Sequence, residues 1–335
     1  MSPPFYNKKA QLSCALQYLI NISNYDIIIK LVGNGVNIMN KIKNITVKQA
    51  IDRYIESKYA VLSPSTVKGY MIVKRNQLQN LMEVKLSDLN SELYQSAINS
   101  DMLKYSPKSI SNAVGLVNAA VKMFAPEIRS KLYVTKPQKI KTSFYIPEKD
   151  EIDVIYNRIK HSKTDLVKPF LLASQCGLRP SEISALSGDC ICKGQIEIKA
   201  AIVLDHQGNP IRKAPKTYAG YRSIPISNQM EKTLLNNINH RQQSICGMTA
   251  KEIGDQWRKF FDANSDLYYF KFYALRHYYA SKCLLMGIPQ RYIAELMGHS
   301  STNMIERVYQ HVFPSAMQKY KLLLADSMDM ILETN

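Results

Sequence analysis

Acidic side chains are scarce in this chain. Asp and Glu number 27 against 44 Lys and Arg in 335 residues, for a formal charge of +17. Long apolar runs are absent. No uninterrupted stretch reaches the ~18 residues that a membrane-spanning helix needs. The most apolar region near the start, residues 11–32, is broken by Asn21, Ser23, Asn24, Asp26 and Lys30, which argues against a secretory signal. Paired cysteines are missing too. The six stand at 14, 176, 190, 192, 246 and 283 with no CxxC among them. That usage excludes a disulfide framework, disfavours a zinc site, and fits reduced thiols in a cytosol. No internal repeat or low-complexity tract is present, so repeat architectures are excluded.

What is present is positive charge and length. Lysines and arginines displace counterions from phosphates, so a polyanionic partner suits the chain. A membrane surface is also anionic, and charge alone does not choose between them. The length allows two domains, each with its own core. Residues 1–150 hold 21 Lys and Arg against 10 Asp and Glu, and the remainder 23 against 17, so the excess lies mostly in the first part.

Periodicity divides the chain. Residues 1–44 show no clean period; they form either an accessory arm or a translated leader, with Met39 as the natural start. Residues 45–125 read as a helical bundle. Thr46 caps a helix to about Lys58, with Val47, Ala50, Ile51, Tyr54 and Ile55 on one face. Ser63-Pro64 opens a second helix that turns Val67, Tyr70, Met71 and Leu78 inward, Ser87 caps a third over Asp88 to Asn99, and Ser106-Pro107 opens a fourth. Lys68, Lys74 and Arg75 are candidate contacts to a nucleic-acid backbone, weighed evenly against an ordinary solvated surface. Residues 126–147, rich in lysine and proline, are expected to be a linker. Residues 148–335 form a second domain. Its first helices stop at Gly177, a strand spans 195–204, a turn lies at 206–210, a second strand runs from Tyr221 to Ile226, and helices resume after Thr249. The expected fold class is mainly α with a small antiparallel β-sheet.

Several residues in the second domain could carry chemistry. Arg179 follows Gly177 and heads a helix at Pro180-Ser181-Glu182. Tyr273 and Arg276 are three apart and His277 four from Tyr273, so all three lie near one helical face. His299 stands in Gly298-His299-Ser300 after an expected helix from Pro289 to Met297, and Tyr309 comes ten residues later. Cutting a nucleic-acid backbone requires charge neutralisation at phosphorus, an aligned nucleophile and a proton for the leaving oxygen. Arginine suits the first task through its planar, permanently charged fork. Taken singly, each residue reads more plainly as a helix-start arginine, an amphipathic rim, a turn histidine or a packed tyrosine.

The joint order changes that balance. Gly-Leu-Arg-x-Ser-Glu at 177–182, Pro215-Lys216-Thr217 before Gly220-x-Arg222-x-Ile224-Pro225-Ile226, Leu275-Arg276-His277, Met297-Gly298-His299-Ser300 and Tyr309 resemble the tyrosine recombinase (phage integrase) family. Ser63 to Tyr70 is similar to a helix start in that family's core-binding domains, and the likeness spans about residues 45–320. The resemblance implies an N-terminal helical core-binding bundle plus an α/β catalytic domain. It implies a site-specific recombinase that cuts and rejoins duplex DNA through a 3′-phosphotyrosyl link, serving integration or excision of a mobile element. By the same resemblance, Tyr309 is the nucleophile, Arg179 and Arg276 grip the phosphate, Lys216 is the general acid, His299 donates to the phosphate, and Glu182 supports the site. No cofactor and no metal are implied. The partners implied are double-stranded DNA carrying specific sites, three further copies in a homotetramer, and accessory DNA-bending or directionality proteins, in the cytoplasm and away from membranes.

One position departs from the family. A histidine is usual where Tyr273 stands. Either Tyr273 only positions the phosphate, or His277 or water accepts the nucleophile's proton, or activity is reduced; the first is preferred, with His277 structural. Residues 315–331 are expected to form a terminal helix that docks on a neighbouring subunit or on its own domain. Rival functions are a chromosome-dimer resolvase, a topoisomerase-like enzyme, and a DNA-binding protein with a decayed site.

Overall fold

The Thr46 hydroxyl accepts a hydrogen bond from the Gln49 backbone N–H, and the Gln49 side-chain oxygen accepts one from the Thr46 N–H, so the first described helix, α1 (Val47–Lys58), starts on a reciprocal cap. This is a computed structural model. It describes residues 44–138, 145–215, 218–299, 301–306, 308, 321, 324 and 325. Further helices follow in the same unit: α2 (Pro64–Asn76), α3 (Gln79–Met82), α4 (Ser91–Asp101), α5 (Pro107–Phe124) and α6 (Pro126–Arg129). Ser63 and Ser106 cap α2 and α5, each with proline in the first turn, as the sequence indicated. The third helix starts later than expected. Leu86–Asp88 is a 3₁₀ turn, Ser87 bonds the Asp88 carboxylate, and Asn90 caps α4 by accepting from the Leu93 N–H. Burial of both Leu86 and Leu89 holds the chain in that turn.

The helical unit buries one core. Ile110, Ala113, Val114, Val117, Ala120 and Val121 line one stripe of α5 and pack with Val47, Ile51 and Ile55 of α1. Within 126–147 the chain first makes α6. Leu132 is then buried in this core, and the Tyr133 and Thr135 backbone N–H groups bond Ser91 and Gln95. The unit boundary falls between Ile140 and Lys141.

The second unit contains α7 (Lys149–His161), α8 (Val167–Cys176) and α9 (Pro180–Ala185). Five short strands follow: β1 (Ile191–Cys192), β2 (Gln195–Ile198), β3 (Ala201–Leu204), β4 (Pro210–Lys213) and β5 (Arg222–Pro225). The helices α10 (Asn228–Leu235), α11 (Ala250–Asp262), α12 (Ala274–Leu285) and α13 (Gln290–Leu296) come next. The expected single strand 195–204 is two strands in two sheets. β2 lies between β1 and β5, all antiparallel, with Ile196 opposite Ile224 and Ile198 opposite Arg222. β3 pairs only with β4. Ile196, Ile198 and Ile224 are buried in the core, whereas every residue of β3 is only half-buried. An unbroken apolar run does not record that break in alternation. The five described cysteines are free, and no helix of the described residues is long and apolar enough to cross a membrane.

Candidate active site

Three loop-to-helix junctions build the site. The first is at the end of α8, where Gly177 adopts φ +65° and caps the helix. A methyl group there would come within 2.4 Å of a Tyr279 ring carbon, so glycine is what lets α8 lie close to α12. Arg179 follows, and its backbone N–H and its Nη1 donate to Glu182 at 2.9 and 2.7 Å.

The second junction is the start of α12. Trp257 is fully buried among Phe170, Phe260, Phe261, Phe270 and Phe272, and its Nε1 donates to the Phe270 carbonyl at 2.7 Å. That aromatic cluster anchors the chain immediately before Tyr273. Arg276, one turn into α12, is wholly buried. It donates to the carbonyls of Gly177 and Met297 and to His299 Nε2, the last at 2.7 Å.

The third junction is the end of α13. Gly298 has φ +64°, and the turn at 297–299 presents carbonyls inward. Arg179 Nη2 donates to Gly298 O at 3.1 Å beside the Arg276 bond to Met297. Arg179, Arg276, His299 and Glu182 are therefore brought together, from positions up to 120 residues apart in sequence.

Arg222 joins them, and sequence reasoning gave it no role. It sits on β5 on the same face as buried Ile224, and its side chain is 4 % exposed. Nη1 and Nη2 donate to the two Glu182 oxygens at 3.1 and 2.8 Å, and Nε donates to Leu296 O at 2.7 Å. The available signal was an arginine on the inward face of a period-two strand, which requires a buried acid as partner.

Glu182 is thus the shared counter-ion of Arg179, Arg222 and, at 3.9 Å, Arg276. Burial alone would raise its pKa; the bonds and charge of Arg222, then Arg179 and Arg276, outweigh that and hold it at about 2. Three guanidiniums against one carboxylate leave a net local charge of +2. Burial, then Arg179, lowers Arg276 to about 9, which still leaves it charged at neutral pH. His299 is pushed down to about 3 by burial and by Arg276, Arg179 and Arg222. It is neutral, and because Nε2 accepts from Arg276, its proton sits on Nδ1, which is buried without a hydrogen-bond partner. Arg276 Nε is likewise buried and unpartnered. Arg179 is 30 % exposed while Arg276 has no exposed surface, so a ligand arriving at the surface meets Arg179 first.

Tyr273 is exposed at the rim and meets the His277 ring edge-on at 5.2 Å. Burial and Arg276 lower His277 to about 4. Lys216 and Tyr309 lie outside the described residues, and so does the expected terminal helix apart from Lys321, Leu324 and Ala325, which are helical and exposed. In the helical unit, Lys74 is paired with Asp52 at 2.6 Å, Lys68 is half-buried and Arg75 is exposed. Among the described residues, no three His, Cys, Asp or Glu side chains gather where they could hold a metal ion.

Comparison with known proteins bears on the fold and the family. The fold is similar to that of the Tn1549 transposon integrase in complex with transposon right-end DNA, with a TM-score of 0.65 and 16% identity over 82% of this chain and 99% of that one. It is also similar to a lambda integrase dimer bound to a COC′ core site, with a TM-score of 0.62 and 16% identity over 90% and 87%. A lambda integrase tetramer on a Holliday junction matches at TM-score 0.63 and 16% identity, over 84% and 87%. In sequence, a "Tyrosine recombinase XerC-like" protein of Caldanaerobacter subterraneus subsp. tengcongensis is 27% identical over 211 residues, and the match spans 54% of each chain, about half the length of that relative. The signature of the phage integrase family matches residues 147–315, half of the chain, and the protein belongs to that family.

Proposed function

We propose that this chain is a site-specific DNA strand transferase of the tyrosine recombinase type that moves a mobile element. The observation that supports it best is the convergence of Arg179, Arg276 and His299 on one turn, with a net charge of +2 around a single carboxylate. Phosphoryl transfer builds negative charge on the non-bridging oxygens, and fixed cations in a water-poor site stabilise it strongly. Arg179 takes the phosphate at the surface. Arg276 and His299 stand directly behind it. The Tyr309 phenol attacks phosphorus, its proton passes to water, and a 3′-phosphotyrosyl bond replaces the bond to the 5′-oxygen. Lys216 gives that oxygen its proton. Reversal with another 5′-hydroxyl rejoins DNA, because the phosphotyrosyl bond keeps the energy of the phosphodiester. Tyr273 positions the phosphate.

The substrates under this reading are duplexes with specific sites. The lambda integrase tetramer on a Holliday junction supports a homotetramer as the working assembly. A nicked suicide duplex tests the chemistry. The wild-type chain is expected to form a denaturant-resistant protein–DNA adduct. Tyr309→Phe is expected to form none while binding DNA normally. A 5′-bridging sulfur leaving group, which needs no proton, is expected to restore cleavage to Lys216→Ala. A wild-type chain that binds its site but never forms the adduct would instead be a DNA-binding protein with a decayed site.

A further inference from the structure

Apart from a 3.4 Å bond from its Nη1 to the nearby Gly220 carbonyl, Arg222 spends its hydrogen bonds on the site's framework. Its fork covers both oxygens of Glu182, and its Nε holds the carbonyl of Leu296, the last residue of α13. Glu182 in turn holds Arg179 by side chain and backbone. Leu296 leads directly into the 297–299 turn, whose carbonyls receive Arg179 and Arg276 and which carries His299. The guanidinium also presses on that turn: a methyl group on Gly298 would stand 2.8 Å from Arg222 Nη1.

We propose that Arg222 is a positioning residue for strand cleavage, tying Glu182, and through it Arg179, to the turn that carries His299. This rests on the reading of Arg179 and His299 as phosphate contacts. A carboxylate has about four lone-pair sites, and Glu182 fills them with two N–H groups from Arg179 and two from Arg222. Without Arg222 two of those sites are empty in a buried setting, and the carboxylate takes a proton more readily. The charged or titratable groups facing it are Arg179 on its own helix, Arg222 on β5, Arg276 on α12 and His299 on the turn after α13. A protonated Glu182 has lost its charge and one acceptor site, and it releases Arg179. Lysine at 222 would restore the charge but not the fork, so it would not bridge Glu182 and Leu296 together.

Two measurements on the full-length chain test this. Carbon-13 NMR of the Glu182 carboxyl reads the first link without any need for activity. Wild type is expected to remain ionised from about pH 4 to pH 8, Arg222→Lys likewise, and Arg222→Gln to titrate inside that window. Single-turnover cleavage of a nicked duplex reads the second link. Arg222→Lys is expected to cleave at least about 10-fold more slowly with duplex affinity within about 3-fold of wild type. Arg222→Gln is expected to add a new fall in rate toward acid pH. A Glu182 titration unmoved in Arg222→Gln, or an Arg222→Lys chain that cleaves within about twofold of wild type, overturns the proposal. Should Arg222→Gln fail to fold, Arg222→Lys still decides through its rate. Should wild type form no adduct, the strand-transferase reading falls, and the Glu182 titration still decides whether Arg222 holds the carboxylate.

Discussion

Glu182 and Gly298 set the tolerances of the site at the scale of single residues. Glu182 is buried with all its acceptor sites in use, and Gly298 occupies a left-handed turn with no room for a methyl group. Alanine at 298 meets both the strain of positive φ and the Arg222 guanidinium. Gly298→Ala is therefore expected to destabilise the chain by about 1–2 kcal/mol and to slow cleavage at least about 10-fold. Urea unfolding and the suicide duplex measure the two effects. Arg179, Arg276 and His299 stood out in sequence only through the joint order that resembles the family, since each taken singly reads as an ordinary helix-end or turn residue. Arg222 was visible as a letter in a motif, but its role was not, since its partner lies 40 residues away and only the sheet register turns it inward. Tyr273 also differs from family habit, and it is exposed at the rim. Among basic residues of the helical unit, Arg75 is free of the ion pair that holds Lys74 to Asp52. Arg75→Ala is expected to reduce the slope of log K against log salt by about 1, and Lys74→Ala to reduce it less. DNA binding by fluorescence anisotropy at several salt concentrations checks this.

Helix caps and amphipathic stripes made most elements readable. Thr46, Ser63, Ser106 and Thr249 each cap the helix their sequence context announced. The failures came where tertiary contacts decide. Ser87 bonds its neighbour Asp88 instead of capping a helix, because Leu86 and Leu89 are both drawn into the core. The stretch 195–204 divides between two sheets because only its first half has a buried cross-strand partner. At this scale the site also carries an acid sensitivity. His277 and His299 are held at about 4 and about 3, below the ordinary 6.5, first by burial and then by Arg276. Below pH 6.5 the unfolded chain takes up protons that the folded chain refuses, so stability falls as pH drops. Glu182 adds to this lower down: its contribution is complete above 4.5 and is lost as pH falls toward about 2. Each group contributes at most about 1.4 kcal/mol per pH unit. The melting temperature of the full chain is expected to decline steadily from pH 6.5 to pH 4, and replacement of His277 by a non-titrating residue of similar size is expected to flatten part of that decline. Calorimetry across that range measures it.

The whole molecule joins two units with separate cores, one around α1 and α5, the other around Trp257 and the inward residues of β2 and β5. The excess of Lys and Arg lies mostly in residues 1–150, and the second unit gathers three guanidiniums around Glu182. Under the proposed function, variants at the Glu182 cluster are expected to change cleavage far more than affinity. Mass spectrometry of the protein–DNA adduct trapped on a nicked suicide duplex examines the central claim most directly. The account predicts a nucleotide-bearing peptide modified at Tyr309 and at no other tyrosine. An adduct mapped to another residue, or none from a chain shown to bind its DNA site, would contradict it.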